Sequence, residues 1–334
     1  MNIIIPMAGR GTRMRPHTLT TPKPLLPIAG KPIVQRLVED LIALTDEPIE
    51  EIGFIIGDFG EEVEDQLRGI AMEKGAKGKI FYQDKALGTA HAILCAKELL
   101  KEKVIIAFAD TLFETNMAIN TEEDGIIFTQ KVDDPTSFGV VTLDQEGYIT
   151  GMVEKPETFV SDQAIIGIYY FQDGFFLQQE LKFLLDNGIK TKGEFQLTDA
   201  MDNMRKKGAR FKTGEVTEWL DCGNKDATVN TNRRILELKK NEKTIADSMT
   251  NYNSVIIPPC YIGENVVLEN SVIGPHVSIG NNTVIKQSIL SNSIIQANSY
   301  LENKIMENSM LGNHVSIKGT IDSISVGDYS YKSS

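Results

Sequence analysis

Residues 2–14 read Asn2-Ile3-Ile4-Ile5-Pro6-Met7-Ala8-Gly9-Arg10-Gly11-Thr12-Arg13-Met14. The apolar run is too short for a helix and rich in isoleucine, so it predicts a buried strand over Ile3–Met7. A glycine turn directly after such a strand lets backbone N–H groups come close to an anion. Two familiar glycine patterns do not fit. Met14 stands where a dinucleotide fingerprint needs its third glycine, and no Gly-Lys-Ser/Thr follows as a P-loop requires.

Working outward, short apolar runs alternate with helical patterns up to about residue 226. Strands are expected at Ile52–Ile56, Lys79–Tyr82, Val104–Ala109, Gly125–Thr129, Val140–Leu143, Gly151–Val153 and Ile165–Phe171. Between them Ile33, Val34, Leu37, Leu41 and Leu44 recur at helical spacing, as do Val63, Leu67, Ile70 and Ala71, and Phe176, Leu177, Leu181 and Leu184. Gly75 and Gly188 stand where two of these helices should stop. This alternation predicts an α/β, Rossmann-like domain over 1–227 with a largely parallel sheet, part of a mixed one. Ligands of such sheets sit beyond the carboxyl ends of strands, which directs attention to the loops after Met7 and Ala109.

Residues 228–253 read as a polar connecting helix with Ile235, Leu238 and Ile245 as its apolar points. From 254 to 334 the helical period disappears. Ile273, Ile279 and Ile285 recur every six residues, as do Ile262 and Leu268. The stretch Glu269–Ile279 returns as Glu307–Ile317. A six-residue step with internal repetition predicts a parallel β-helix.

The 334 residues, 41% apolar and 24% charged, suffice for two cored domains. No run reaches a membrane span, and the first residues lack the basic start of a secretory signal. Cys95, Cys222 and Cys260 have no metal-ligand spacing, so a reduced, cytoplasmic setting is expected. The net charge of −12 argues against nucleic acid as a partner. Local charge runs the other way: residues 1–36 contain Arg10, Arg13, Arg15, Lys23, Lys31 and Arg36 and no acidic residue.

The loop continues Arg13-Met14-Arg15-Pro16, then Thr20-Thr21-Pro22-Lys23-Pro24-Leu25-Leu26-Pro27-Ile28 and Gly30-Lys31-Pro32. Five prolines within seventeen residues stiffen it and fix where Arg13 and Lys23 point. Rigid cations beside a glycine turn suit a triphosphate. Asp110, at the end of the Val104–Ala109 strand opposite that turn, is placed for Mg²⁺, which takes one or two carboxylates together with phosphate oxygens.

The pattern Gly-x-Gly-Thr-Arg-Met-x-Pro followed by Pro-Lys-Pro-Leu-x-Pro resembles the nucleotide signature of the sugar-1-phosphate nucleotidyltransferases. The resemblance extends over nearly the whole chain, tail included, where relatives of the glucose-1-phosphate thymidylyltransferase type carry a left-handed β-helix. It implies nucleotide contacts from Ala8, Gly9, Gly11 and Thr12. Gln83-Asp84-Lys85-Ala86-Leu87-Gly88-Thr89-Ala90-His91 looks like the family's base-reading loop, with Gln83, Gly88 and Thr89 at the nucleotide. An amide offers a donor and an acceptor, which matches uracil, thymine and guanine alike. His91 is read as a packed structural histidine.

Asp221, in Trp219-Leu220-Asp221-Cys222-Gly223, resembles the family's second metal-binding Asp. Phe138-Gly139-Val140-Val141, Glu154-Lys155-Pro156 and Glu194-Phe195-Gln196-Leu197-Thr198 look like the sugar half. They imply sugar-phosphate contacts from Gly139, Glu154, Lys155, Gly167 and Glu194. Thr198 also reads as a helix cap. Relatives carry Asn just before Gly167; Ile166 stands there in this chain, which argues against amino-sugar or mannose recognition.

The chemistry expected is attack by a sugar-phosphate oxygen on the α-phosphorus of a nucleoside triphosphate, dTTP or UTP being favoured, with glucose 1-phosphate as the other substrate. That nucleophile is already anionic at neutral pH, so no general base is needed. Lys155 is expected to align it, with Arg13 and Lys23 on the departing pyrophosphate. Guanylyl transfer to mannose 1-phosphate and uridylyl transfer to N-acetylglucosamine 1-phosphate are alternatives. An acyltransferase built on the β-helix and a non-catalytic regulatory subunit are readings from other classes. A homo-oligomer assembled through the tail is expected.

Overall fold

The computed structural model describes residues 1–9 and 11–320. Arg10 and the end of the expected β-helix, 321–334, lie outside the described residues. The chain forms two compact units. One comprises Met1–Leu26 and Lys31–Ala227; the other comprises Pro27–Gly30 with the chain from Thr228 onward.

The first unit is built on a nine-stranded mixed sheet. Strands β1 (Asn2–Pro6), β4 (Glu51–Ile56), β5 (Lys77–Tyr82) and β6 (Val104–Ala107) pair in parallel. The two-residue strands β2 (Pro27–Ile28) and β3 (Lys31–Pro32) lie between β1 and β4 in the chain. Ile3, Ile4 and Ile5 are fully buried, as a strand covered on both faces requires. Helices α1 (Ile33–Ala43) and α2 (Glu61–Glu73) bury an apolar face, Ile33, Val34, Leu37, Val38 and Leu41 in the first and Leu67, Ile70 and Ala71 in the second. α2 ends just before Gly75, whose φ of 77° suits a helix stop.

The rest makes the sheet a mixed one, as expected, with more of it antiparallel than the alternation of strands and helices indicates. β8 (Gly125–Lys131), β9 (Gly139–Leu143) and β10 (Ile149–Glu154) belong to an antiparallel half organised around β11 (Gln163–Phe171), which pairs antiparallel with β6, β8 and β9. Strand β12 (Phe211–Glu215) pairs there in parallel, beside β8. A core of Ile4, Ile106, Ile127, Phe171 and Phe211 joins the sheet to α3 (Thr89–Cys95), α4 (Gly174–Asp186) and α5 (Leu197–Lys206).

Three short strands escape the hydrophobic pattern: β7 (Thr111–Glu114), β12 and β13 (Glu218–Asp221). β7 and β13 form an antiparallel ribbon. β6 also stops at Ala107, so Asp110 lies in the turn between β6 and β7 and not at a strand end. Thr198 is the second residue of α5, whose cap position is Gln196, so it does not cap the helix.

In the second unit the expected helix over 228–253 is shorter. α6 runs Lys225–Leu238, starting just ahead of the division between units. Residues 239–242 offer no apolar side chain to bury, and Ile245 already pairs with Ile262 of the following domain. That domain is a parallel β-helix of three sheets. The first stacks β14 (Thr250–Tyr252), β17 (Val267–Glu269), β20 (Val284–Lys286), β23 (Tyr300–Glu302) and β26 (Ser316–Lys318). The second stacks β15 (Val255–Ile256), β18 (Val272–Ile273), β21 (Ile289–Ser291) and β24 (Ile305–Glu307). The third stacks β16 (Cys260–Ile262), β19 (Val277–Ile279), β22 (Ser293–Ile295) and β25 (Met310–Leu311).

The coils are tighter than a strict six-residue step predicts. Equivalent asparagines lie 17 residues apart at Asn265–Asn282 and 16 apart at Asn282–Asn298. Steps of five and of six are therefore mixed along the inward ladder Ile262, Leu268, Ile273, Ile279, Ile285, Leu290, Ile295 and Leu301. The abundant asparagines serve the corners: Asn265, Asn270, Asn282 and Asn298 have positive φ, which Asn tolerates better than most residues. The internal echo is also displaced by one face, since Ile273 lies in β18 and its counterpart Leu311 in β25. Among the described residues no helix is long and apolar enough to cross a membrane.

Candidate active site

Met7 N–H donates to the Ile55 carbonyl (2.8 Å), which directs the chain off β1 into the glycine loop. Gly11 has a φ of 57°, and a Cβ there would press on Lys23 and Thr18 at 3.1 Å. Thr18 Oγ1 donates to the Gly11 carbonyl, and Met14 is fully buried beneath the loop. Lys23 is thereby held in place. Lys23, only 9% exposed, sends Nζ to Asp110 Oδ2 at 3.0 Å.

This loop walls a cavity of about 400 Å³. Ala8, Gly9, Gly11, Thr12, Arg13 and Lys23 line one side. Gln83, Gly88, Thr89 and Glu194 are on its wall as well. Gly88 has a φ of 117°, and its backbone lies against residues 194–195. Phe195 N–H donates to the Leu87 carbonyl and Ala90 N–H to the Phe195 carbonyl, while Thr89 Oγ1 accepts from Leu197 N–H. Gln83 Nε2 donates to the Gly88 carbonyl at 3.3 Å and lies 3.2 Å from His91 Nδ1.

A second cavity of about 580 Å³ is lined by Gly139, Glu154, Lys155 and Gly167. Gly139 faces Glu154 across the β9–β10 pair, and a Cβ on Gly139 would sit 3.0 Å from Glu154 Oε2. Thr198 Oγ1 donates to that same oxygen (3.3 Å), and Lys155 Nζ lies 3.8 Å from Oε1. Burial pushes the Glu154 carboxyl above the ordinary range, against the lowering influence of Lys155. Gly167, with φ of 88°, interrupts the β11 register and accepts from Phe108 N–H. Ile166 has no side-chain polar atom to offer; its carbonyl accepts from Thr111.

The two cavities share Arg13, Thr89, Phe108 and Asp110 in their linings. Asp221 lines the second, brought there by the β7–β13 ribbon: it pairs with Thr111, and Cys222 N–H donates to the Asp110 carbonyl at 3.0 Å. Burial raises the Asp221 carboxyl above its usual range, and the negative charge of Asp110 adds to the rise. Gly223 N–H, Lys23 and Arg13 oppose it. Two repelling carboxylates with hard oxygen donors, beside a cavity flanked by cations, fit a divalent cation shared with phosphate oxygens. Among the described residues no three His, Cys, Asp or Glu side chains converge, so the protein would supply only part of the shell.

Of the residues singled out from sequence, Glu194 falls apart from the grouping expected for it. It lines the cavity of the glycine loop and is missing from the second cavity's lining, where Gln196 and Thr198 appear in its place. Trp219 was passed over. It lines the second cavity, packs edge-on against Phe138 (centroids 5.0 Å apart), and its buried indole N–H has no partner among the described residues. The signal for it was available: Trp219 lies two residues from Asp221 on one strand, hence on the same face.

The nucleotidyl transferase family model matches residues 2–238. The bifunctional protein GlmU of Methanococcus maripaludis is 30% identical over 262 residues, covering 77% of this chain and 60% of its own. The chain thus spans about 60% of the length of that relative. A glucose-1-phosphate thymidylyltransferase of Streptomyces antibioticus is 30% identical over 247 residues, 71% of this chain and 67% of that one. Among solved structures, a UDP-glucose pyrophosphorylase complexed with UDP-glucose superposes with a TM-score of 0.59 over 71% of this chain and 98% of that one, at 24% identity, a likeness of fold. With the family model on most of the chain and the glycine loop, both aspartates and both cavities inside the matched span, the chain belongs to the nucleotidyl transferase family.

Proposed function

We propose that this protein is a sugar-1-phosphate nucleotidyltransferase that uses dTTP or UTP and glucose 1-phosphate. The observation that carries the reading is the pair of adjoining cavities with Arg13 and Asp110 in both walls. A triphosphate in the first and a sugar phosphate in the second would meet beside those two residues. The sugar-phosphate oxygen attacks the α-phosphorus in line; the bond to the bridging oxygen breaks, and pyrophosphate leaves with that oxygen and its electron pair. Arg13 and Lys23 take up the charge of the leaving group, and Lys155 orients the attacking phosphate. Asp110 and Asp221 would hold Mg²⁺, which supplies charge neutralisation at the phosphates. The thymidylyltransferase relative supports the choice of dTTP and glucose 1-phosphate.

The test is a matrix of five triphosphates against several sugar 1-phosphates, read by pyrophosphate release. Release dependent on both substrates, strongest with dTTP or UTP, is the expected outcome. Acetyl-coenzyme A consumption without pyrophosphate release would sink the proposal.

Glu154 gives a pH-dependent prediction within this reading. The ionised Glu154 carboxylate offers both oxygens as charged acceptors to sugar hydroxyls, whereas protonation turns one of them into a donor. Its raised pKa therefore means that KM for the sugar phosphate should climb as pH falls, beginning above the ordinary carboxylate range. Stability has the opposite sign. A raised carboxyl pKa means the folded state holds the proton more tightly, so stability is lost as pH rises through the folded pKa. Glu154→Gln should hence raise Tm at pH 7, while raising KM for the sugar phosphate about tenfold, as expected for a lost charged hydrogen bond. Steady-state kinetics and a melting curve check both halves. A change confined to the triphosphate KM would refute the assignment.

The oligomer proposed for the tail has a candidate surface. The first β-helix sheet carries its own ion pairs, Glu269–Lys286 at 2.7 Å and Glu302–Lys318 at 3.7 Å. On the third, Ser278 and Ile294 are buried and Ser278 donates to Asn232 of α6. The second instead presents Val255, Val272, Ile289 and Ile305 outward in register, with Ile305 81% exposed. Such an apolar ladder on one face suits a second copy. Ile289→Lys with Ile305→Lys is expected to reduce assembly size in light scattering and to leave nucleotidyl transfer within about twofold of the parent, since such surface changes act locally. A monomeric parent chain would rule the surface out.

A further inference from the structure

The amide of Gln83 is held by two groups, and this decides which of its ends is free. Nε2 carries both N–H donors. It lies 3.3 Å from the Gly88 carbonyl oxygen and 3.2 Å from His91 Nδ1. The carbonyl of Gly88 can only accept. Burial lowers the His91 pKa, so the ring is neutral at neutral pH and Nδ1 accepts when the proton is on Nε2. Both donors of the amide are then engaged inside the protein, and Oε1 is the group left for a ligand in the cavity that Gln83 lines. His91 does not line that cavity; it is the third residue of α3.

We propose that His91 is a positioning residue for base selection: by accepting from Gln83 Nε2 it turns Oε1 toward the nucleobase, so the site takes bases with a ring N–H at that edge and rejects those with a bare ring nitrogen there. Uracil, thymine and guanine carry such an N–H. Cytosine and adenine present a lone pair, which would face Oε1 with no proton between them. An unpaired polar contact of this kind is where a binding site gains its strongest discrimination. The proposal rests on Gln83 meeting the base, as the proposed function has it.

The experiment compares UTP with CTP on the full chain, by kcat/KM for pyrophosphate release and by equilibrium binding of each triphosphate. His91→Phe keeps a ring of similar size and removes the acceptor, which frees the amide to reverse. The UTP-over-CTP preference should fall at least ~10-fold in both measurements, with kcat on saturating UTP little changed. His91→Asn restores an acceptor oxygen near the Nδ1 position and should recover most of the preference. A merely structural histidine would leave the ratio unmoved while lowering Tm. An unchanged ratio in a folded His91→Phe protein overturns the proposal, as does a loss in His91→Asn equal to that in His91→Phe. If no triphosphate supports pyrophosphate release, the proposed function fails, and the binding ratio still decides the role of His91.

Discussion

Asp110→Asn is expected to lower turnover at least ~100-fold with the fold intact, and Asp221→Asn to do the same; a loss of that size follows when a key charge-stabilising group is removed from a site where phosphate charge develops. The two carboxylates reach one place by different routes. Asp110 is held in the β6–β7 turn with Lys23 at 3.0 Å, and Asp221 is carried in at the end of β13. Each amide variant keeps the shape and one acceptor oxygen while removing the negative charge. Asn at 221 can still accept from Gly223 N–H, so the turn that follows β13 should survive. The prediction therefore separates charge from architecture: melting temperature near the parent, turnover close to background. Chelation by EDTA should reproduce the loss in the parent, and added Mg²⁺ should restore it. Full turnover in EDTA, or an active Asp110→Asn protein, would show that these carboxylates are not the metal site. Lys23→Ala strips Asp110 of its ion-pair partner and should chiefly harm use of the triphosphate, because Lys23 lines the first cavity alone.

The parts of this site that were legible in the sequence are those whose chemistry is local. The glycine turn after a buried strand, the proline-stiffened cations and the acidic residue after Ala109 each declare themselves within a few residues. Their assembly was not legible from periodicity. Asp110 and Asp221 meet through β7 and β13, strands of four residues, too short for an alternation pattern to stand out. Only the resemblance placed Asp221. Glu194 shows the complementary case. Its motif suggested the sugar half, yet the close approach of Gly88 to the backbone at Phe195 draws it to the glycine-loop cavity. In the tail, the apolar ladder revealed the β-helix, but a six-residue step overstated the coil because the corners absorb a variable residue. The connecting helix was overextended for a simpler reason: Ile245 fits a helical stripe as well as it fits a first coil, and only pairing with Ile262 chooses between them. The main sheet was expected to be mixed, but which strands run antiparallel was not legible, since a buried strand such as β11 reads alike whichever way its neighbours run.

Gly88→Ala is expected to cost at least ~100-fold in kcat/KM for the triphosphate, because misplacing a positioning loop by about an ångström carries losses of that order. The reason is steric and conformational at once. The φ of 117° is a backbone state that side chains rarely adopt, and a Cβ would lie 2.4 Å from the Phe195 carbonyl oxygen and 2.7 Å from its nitrogen. Those are backbone atoms, tied by Phe195 N–H to Leu87 and by the Phe195 carbonyl to Ala90 N–H, so they cannot swing aside. The strap between residues 87–90 and 195–197 must open. Gln83 then loses the Gly88 carbonyl that takes one of its amide protons, and Thr89 loses its hold on Leu197 N–H. Overpacking of this kind costs about 1–3 kcal/mol of stability, with the backbone strain in addition. Gly60→Ala is the control. Gly60 also has positive φ, at 84°, but a Cβ there meets nothing within 4 Å. It should lose some stability through strain alone and keep parent kinetics. Melting curves and steady-state rates on the two variants read the difference directly. If Gly88→Ala proves no worse than Gly60→Ala in both, then the close approach at Phe195 does not hold the nucleotide cavity in shape.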